Sequence, residues 1–94
     1  MGRPVLSDAD RADGFRGVAH PTRRKIIRLL SGEVEVSVSQ LLGKVDATPQ
    51  ALSAHLTILR ETGLVNHRAV GASRCYRLSR PAMKQLARWL DQTT

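Results

Sequence analysis

Short polar side chains recur on one face of a predicted helix near the middle of the chain. Gln50, Ser53 and Thr57 are three and four residues apart, so they share that face with Ala54. Their amide and hydroxyl groups can hydrogen-bond to another molecule at close range. The opposite face carries an apolar stripe at helical spacing, which predicts burial against a core: Leu52, Leu56 and Leu59.

Signals for the start and the end of this helix flank the polar face. The Thr48 hydroxyl can cap the helix, and Pro49 fits the first helical position, where a missing N–H has no cost. Gly63 follows, where a left-handed residue is favourable. These signals predict a helix over residues 48–62.

A second short helix directly precedes this one. Ser37 can cap a helix from Val38 to about Val45, and only a short turn separates the two helices. Two short helices joined by about three or four residues are typical of a helix-turn-helix, whose second helix enters the DNA major groove. The helix over residues 48–62 is therefore predicted to be a recognition helix.

The charge balance favours a polyanionic partner. The 94 residues include 15 Lys and Arg against 8 Asp and Glu, a net charge of +7. DNA, RNA and an anionic membrane surface all carry the complementary charge. Most of these cations are Arg, which forms bidentate contacts with phosphate and guanine. A solvated basic surface with no partner is the alternative interpretation.

Other features disfavour several classes of protein. The single cysteine, Cys75, leaves no intrachain disulfide within this sequence, which is consistent with a reducing cytoplasm. No apolar run approaches the roughly 20 residues that span a bilayer, and no secretory signal is recognisable. We therefore expect a cytoplasmic protein with no membrane partner. No Gly-rich phosphate loop, spaced Cys/His pair or paired carboxylates indicate an enzyme, so no catalytic residue is assigned.

The residues before the helix-turn-helix predict two helices and a strand. A helix over about residues 8–18 is plausible, although Gly14 and Gly17 weaken it as an isolated helix. A stronger helix is predicted over residues 21–31, with a proline at its first position and a serine–glycine pair at its end. The alternation over residues 34–36 predicts a very short strand.

After the recognition helix the sequence period changes from helical to alternating. Residues 64–70 and 74–78 are predicted as two strands joined by a turn at residues 71–73. A hairpin in this position is a wing, and its tip can contact the DNA backbone or minor groove. Arg68 and Arg74 are candidate contacts, and Arg74 is the better placed because it is nearest the turn.

The last predicted helix carries an apolar stripe that a second chain could cover. Ser79 can cap this helix, and the stripe with its flanking aromatic comprises Met83, Leu86, Trp89 and Leu90. A chain of this size buries only about 60–65% of its unfolded surface, so oligomerisation would help to stabilise it. We expect a homodimer interface that includes Phe15 of the first helix; closure of the chain's own core is the alternative.

The order of these elements and three sequence stretches resemble the ArsR-type winged helix-turn-helix transcriptional repressors. The stretches are Ala19–Arg23 with the apolar residues after it, Ser37–Leu41 with the recognition helix through Val65, and Arg74–Leu78. The resemblance covers almost the whole chain. It implies a mainly α fold with a small β-hairpin, in one domain over residues 1–94 of which about 8–92 are structured. It further implies a homodimer through the first and last helices that binds double-stranded DNA at a twofold-symmetric operator, with repression relieved by an inducer.

The resemblance also assigns the residues expected near bases or phosphates. On the recognition helix these are Thr48, Gln50, Ala51, Ser53, His55 and Thr57. Gln50 could contact adenine in bidentate fashion. His55 has an equally strong alternative as a structural residue at the border of the core.

The sequence departs from the family where metal sensing is concerned. One group of these repressors carries Cys-x-Cys where this chain has Ser37 and Ser39, and serine is a poor ligand for soft metals. Another group uses Asp and His of the last helix, where this chain has Asp91 but no histidine. We therefore expect no metal and no cofactor. The thiol sensors need a cysteine pair, whereas Cys75 is single. The inducer could be a small organic ligand, a redox signal or absent.

A winged helix is also compatible with a partner other than an operator. Winged-helix modules bind RNA and proteins as well as DNA, and a fold alone does not determine function. The basic recognition face favours a nucleic acid over a protein.

Overall fold

The computed structural model describes residues 14–93, which form helices and a small antiparallel sheet in the predicted order. The elements are α1 (14–18), α2 (Pro21–Ser31), β1 (Val36–Ser37), α3 (Val38–Leu42), α4 (Pro49–Glu61), β2 (Val65–Val70), β3 (Ser73–Leu78) and α5 (Arg80–Thr93). The mainly α fold class with a β wing is thereby confirmed. The first six residues of the helix expected over 8–18 lie outside the described residues.

Caps account for where the two helices of the helix-turn-helix begin. The Ser37 hydroxyl accepts a hydrogen bond from the Gln40 N–H, while the Gln40 side chain accepts from the Ser37 N–H, a capping box. The Thr48 hydroxyl accepts from the Ala51 N–H at 3.1 Å. Both caps are as predicted. α3 ends at Leu42 rather than near Val45, because the chain turns at Gly43, the residue that caps α3.

The wing is a three-stranded sheet rather than an isolated hairpin. β3 lies in the centre with β2 and β1 antiparallel on its two sides. The strand expected over 34–36 is displaced to Val36–Ser37, and Val36 pairs with Tyr76 of β3. Val34, 86% exposed, is outside the sheet. Nothing local in the sequence specifies this pairing, because its partner strand comes about forty residues later.

A two-residue turn closes the β2–β3 hairpin. Val70 pairs with Ser73, so the turn is Gly71–Ala72, one residue shorter than expected. Gly71 has a φ of 61°, in the left-handed region that glycine adopts without strain. A glycine at the first of two turn positions is typical of the type II′ hairpin, whose twist matches the strands.

The core is built almost entirely from aliphatic side chains of the helices and the sheet. Its most deeply buried members are Ile26, Leu30, Leu41, Leu52, Leu56, Leu59, Leu64 and Val65. All three leucines predicted for the buried stripe of α4 belong to it. Tyr76 is the one aromatic ring among the buried residues that the structure describes, and it anchors the central strand to the helices.

Two glycines of α1 bring this helix close to its neighbours. A Cβ at Gly17 would be 2.5 Å from Cδ1 of Leu64, and a Cβ at Gly14 would be 3.1 Å from Cδ1 of Leu86. Both glycines are buried. Their low helix propensity is therefore accompanied by a packing role that the sequence did not reveal.

The apolar residues of α5 divide between the core and the surface. Leu86 is 3% exposed and packs in the chain's own core, so the expectation that it forms a dimer interface is wrong for this residue. Met83 packs against the core from the edge. Trp89 makes an edge-to-face contact with Phe15 at 4.8 Å between ring centroids. Leu90 remains 44% exposed.

The described part of the chain shows neither a membrane-crossing helix nor a metal-binding group. None of the helices within residues 14–93 is long and apolar enough to cross a bilayer. Over the same residues, no three His, Cys, Asp or Glu side chains come together as potential metal ligands.

Candidate nucleic-acid interface

The recognition helix presents the polar face that its sequence predicts. Gln50, Ser53, Ala54 and Thr57 are exposed, while the three leucines on the other side are buried. Thr57 donates its hydroxyl hydrogen to the Ser53 carbonyl at 2.9 Å, which leaves its oxygen free to accept. The helix ends in a Schellman motif, in which Leu64 N–H donates to Leu59 O and Gly63 has a φ of 80°.

His55 and Ala51 lie on the flank of α4, half-buried, rather than on its exposed face. The His55 ring packs against the His20 ring at 4.6 Å between centroids. His55 Nδ1 lies 3.4 Å from a guanidinium nitrogen of Arg23. Because a guanidinium only donates, Nδ1 of His55 is the acceptor side of this contact. Of the two interpretations of His55, the structure favours the structural one.

The surroundings of His55 disfavour its protonation. Burial lowers the pKa of His55 below its ordinary value, and the adjacent His20 and Arg23 lower it further. His20 itself caps α2, where its Nδ1 accepts from the Thr22 N–H at 3.1 Å. This cluster therefore connects the start of α2 to the middle of the recognition helix. No spacing in the sequence indicates it, because His20 and His55 are 35 positions apart.

A groove connects the recognition helix to the wing. It has a volume of about 220 Å³, and Ser53 and Arg74 both line it. The remaining lining comes from α3, α4 and β3: Val38, Leu42, Pro49, Leu56 and Tyr76. Arg74 thus lies beside the exposed polar face of α4, which brings together the two candidate contacts that the sequence placed on separate elements.

Positive charge is concentrated at this end of the molecule. His67 stacks on Tyr76 at 5.3 Å between centroids. Burial lowers the pKa of His67, and the nearby cations Arg60 and Arg74 lower it further. Arg60 of α4 and Arg74 of β3, both exposed, are therefore close enough to influence the charge state of the same residue of β2. Such a cluster can neutralise phosphates of a nucleic acid.

Arg68, the other wing candidate, is paired with a carboxylate. Its Nε and one terminal nitrogen donate to the two carboxylate oxygens of Glu35 at 3.0 and 2.7 Å. The hydrogen bonds from Arg68 lower the pKa of Glu35. Sequence reasoning missed Glu35, because a partner 33 residues away on a different strand leaves no local signal.

Together, the helix-turn-helix, the polar face of its second helix and the adjoining basic wing define a DNA-binding regulator of the winged helix-turn-helix class. A family model described as a helix-turn-helix domain matches residues 18–68. The chain belongs to the ArsR family of transcriptional regulators, as the resemblance in its sequence implied.

Similar proteins agree with this assignment. The arsenical resistance operon repressor of Escherichia coli (strain K12) is 36% identical over 78 residues, which cover 83% of this chain and 67% of that protein. The crystal structure of a "possible transcriptional regulator for arsenical resistance" has 37% identity and a TM-score of 0.78, covering 86% of this chain and 83% of that one. An ArsR-like regulator from Rhodococcus sp. RHA1 has 29% identity and a TM-score of 0.81, covering 90% and 77%.

Proposed function

We propose that this protein is a dimeric transcriptional repressor that binds an inverted-repeat operator. Each recognition helix would enter a major groove, and each wing would contact the adjacent backbone or minor groove. The observation that supports this proposal best is the juxtaposition of Ser53 on α4 with Arg74 on β3 along one groove. In this proposal the helix face would read bases while Arg74, beside it, would contact phosphate.

Within α4, the exposed side chains divide into base-reading and backbone-contacting candidates. Gln50 is in the first turn and exposed, and its amide matches the donor and acceptor of adenine. Ser53 and Thr57 can bond to a base or a phosphate, and the exposed Thr48 is placed for a phosphate at the helix start. Ala51 lies on the half-buried flank and so contributes close approach rather than a hydrogen bond.

The apolar surface at the end of α5 supports the dimer. Leu90 is exposed, and it follows Trp89, whose ring packs on Phe15 of α1. Burial of a leucine side chain is worth about 1.5–3 kcal/mol, so an exposed leucine beside an aromatic pair favours coverage by a second chain. We propose an interface made by Phe15, Trp89, Leu90 and the accessible edge of Met83, related by a twofold axis.

Binding to RNA or to a protein is the alternative function. The arginines beside the wing would serve an RNA as well as a DNA, because both present phosphates. The exposed face of α4 favours DNA over RNA, because its side chains are short and polar and include no exposed aromatic ring on which an unpaired base could stack. The inducer, whether a small organic ligand, a redox signal or none, is a separate question.

The test is a titration of purified protein against duplex DNA from its own upstream region, followed by fluorescence anisotropy at several salt concentrations. We expect two chains per inverted repeat and a preference over random duplex that survives physiological salt. Gln50→Ala should reduce base discrimination by about 1–3 kcal/mol. Glu33→Ala, which changes an exposed residue after α2 that lies outside both proposed interfaces, is the control and should leave base discrimination unchanged. Equal affinity for random duplex, or tighter binding to structured RNA, would refute the repressor function.

A further inference from the structure

The ion pair between Glu35 and Arg68 spans the wing from one edge strand to the other. Glu35 immediately precedes β1, Arg68 is in β2, and β3 lies between these two strands. The guanidinium donates two parallel hydrogen bonds to the carboxylate, the bidentate geometry that fixes both partners in orientation. This contact therefore joins the two edge strands across the face of the central strand.

The register shows in which direction the Arg68 side chain extends. Arg68 is opposite Cys75 of β3, and Val36 is opposite Tyr76. Continuing that register places Glu35 beside Arg77, about 7 Å further from the Gly71 turn than the Cys75 row. The guanidinium of Arg68 is thus drawn toward the base of the wing and away from its tip.

The same contact changes the charge that the wing offers to DNA. Arg68 is 64% exposed, so it would otherwise be available to a phosphate, whereas Glu35 is only 25% exposed. If DNA removed Arg68 from this pair, the Glu35 carboxylate would lose both of its hydrogen bonds and would keep only the more distant charge of Arg77. Arg74, by contrast, has no carboxylate partner within residues 14–93 and lines the groove beside Ser53.

We propose that Glu35 is a positioning residue that withholds Arg68 from the DNA backbone, so that each wing contacts phosphate through Arg74 and not through Arg68. This inference rests on the proposed DNA-binding function and refines it. It replaces the expectation that Arg68 is a DNA contact. Glu35 would thereby set both the orientation of the wing and the number of phosphates that each chain neutralises.

The experiment measures the dependence of operator affinity on salt, because the slope of log K against log salt counts neutralised phosphates. Each contact contributes about 0.9 to this slope on B-form DNA. Arg68→Gln should leave the wild-type slope unchanged. Glu35→Gln should free Arg68 and steepen the slope by about 0.9 per chain bound. Raising the salt from about 50 to 200 mM should then weaken operator binding by Glu35→Gln about 3.5-fold more per chain than it weakens binding by the wild type. The double variant Glu35→Gln/Arg68→Gln should return to the wild-type slope.

Two control variants separate this mechanism from a general charge effect. Glu33→Gln removes the same charge two residues away, but Glu33 has no ion-pair partner within the described residues, so its slope should stay at the wild-type value. The double charge reversal Glu35→Arg/Arg68→Glu restores the pair with unchanged net charge and should also keep that slope. Circular dichroism and thermal melting of each variant verify that the fold is intact.

The outcomes distinguish this inference from the function on which it rests. A loss of about 0.9 in slope per chain bound for Arg68→Gln alone would show that Arg68 contacts phosphate and would overturn the proposal. A Glu35→Gln slope equal to that of Glu33→Gln would also overturn it. Arg74→Gln should lower the slope by about 0.9 per chain bound. If the wild type shows no operator preference and no slope, the DNA-binding function fails and this inference fails with it.

Discussion

The close approach of α1 to the end of the recognition helix can be tested by adding one methyl group. A Cβ at Gly17 would lie 2.5 Å from Leu64 Cδ1 and 3.1 Å from Thr62 Oγ1, whereas ordinary contacts are 3.4–4 Å. Leu64 is 2% exposed, so it can move only by displacing other core side chains. We therefore expect Gly17→Ala to overpack the core.

Two opposing effects determine the magnitude for Gly17→Ala. Overpacking of a well-packed core costs about 1–3 kcal/mol. Replacing glycine by alanine in a helix favours folding by up to about 1 kcal/mol. The net loss is therefore about 0–3 kcal/mol of unfolding free energy. For a domain of this size, each 1 kcal/mol lowers Tm by about 4–8 °C. Gly17→Val adds two further carbons and should cost more.

Gly14→Ala is the matched control in the same helix. Its Cβ would be 3.1 Å from Cδ1 of Leu86, a contact that a shift of a few tenths of an ångström relieves. Leu86 is also in the core, but the shift it must make is smaller than that of Leu64, so Gly14→Ala should lower Tm less than Gly17→Ala does. Thermal melting at one fixed chain concentration is the assay, because the proposed dimer would make Tm depend on concentration. The packing argument is refuted if Gly17→Ala melts at or above the temperature of Gly14→Ala.

Three further predictions concern the cap, the histidines and the dimer. Thr48→Ala removes the cap of α4 and should lower the unfolding free energy by about 1 kcal/mol in urea denaturation, while Thr48→Ser should retain it; equal stability of Thr48→Ala and wild type would contradict the cap. Burial and neighbouring cations lower the pKa of His55 and His67 in the folded state, so the unfolded chain binds more protons. The free energy of unfolding should therefore keep its full value above pH 6.5 and fall as the pH drops through the folded pKa values. His55→Gln should reduce that loss in urea titrations between about pH 7 and 5. An unfolding free energy that stays constant over this range would contradict the prediction. Leu90→Glu should give a folded monomer in sedimentation, whereas Leu86→Glu should unfold the chain because it places a charge in the core; a dimeric Leu90→Glu would move the interface elsewhere.

The predicted loss of unfolding free energy between about pH 7 and 5 does not involve the carboxylate of Glu35. Glu35 also has a lowered pKa, chiefly because Arg68 donates hydrogen bonds to it, with an ordinary value of 4.5. Its contribution to stability is present above that value and is lost only as the pH falls further. Titration between pH 7 and 5 therefore reports on the histidines and not on this ion pair.

Much of the architecture was predictable because the signals for it are local. The bounds of α2 and α4 follow from prolines at the first helical positions and from Gly32 and Gly63 at the ends. Their buried faces follow from leucine and isoleucine spacing. The exposed polar face of α4 was predictable for the same reason, since a helix with one apolar stripe must turn its other side to solvent.

The errors occur where partners are distant in sequence. The third strand of the wing was misplaced because its only partner is β3, about forty residues later. Leu86 belongs to an apolar stripe that predicts an interface, and only the fold shows that it is buried in the chain's own core beside Gly14. The ion pair of Arg68 was missed for the same reason, since only the fold brings Glu35 to it.

The sequence by itself determined the elements, their order, the family and the polar face of the recognition helix. Each of these depends on spacing within one helix or hairpin, where backbone geometry converts residue positions directly into faces and ends. The tertiary structure decided which side chains are free to act on a partner. It paired Arg68 with Glu35, turned His55 toward Arg23 and His20, and placed Arg74 beside Ser53. Those outcomes depend on how strands and helices pack, a long-range property that local spacing does not specify.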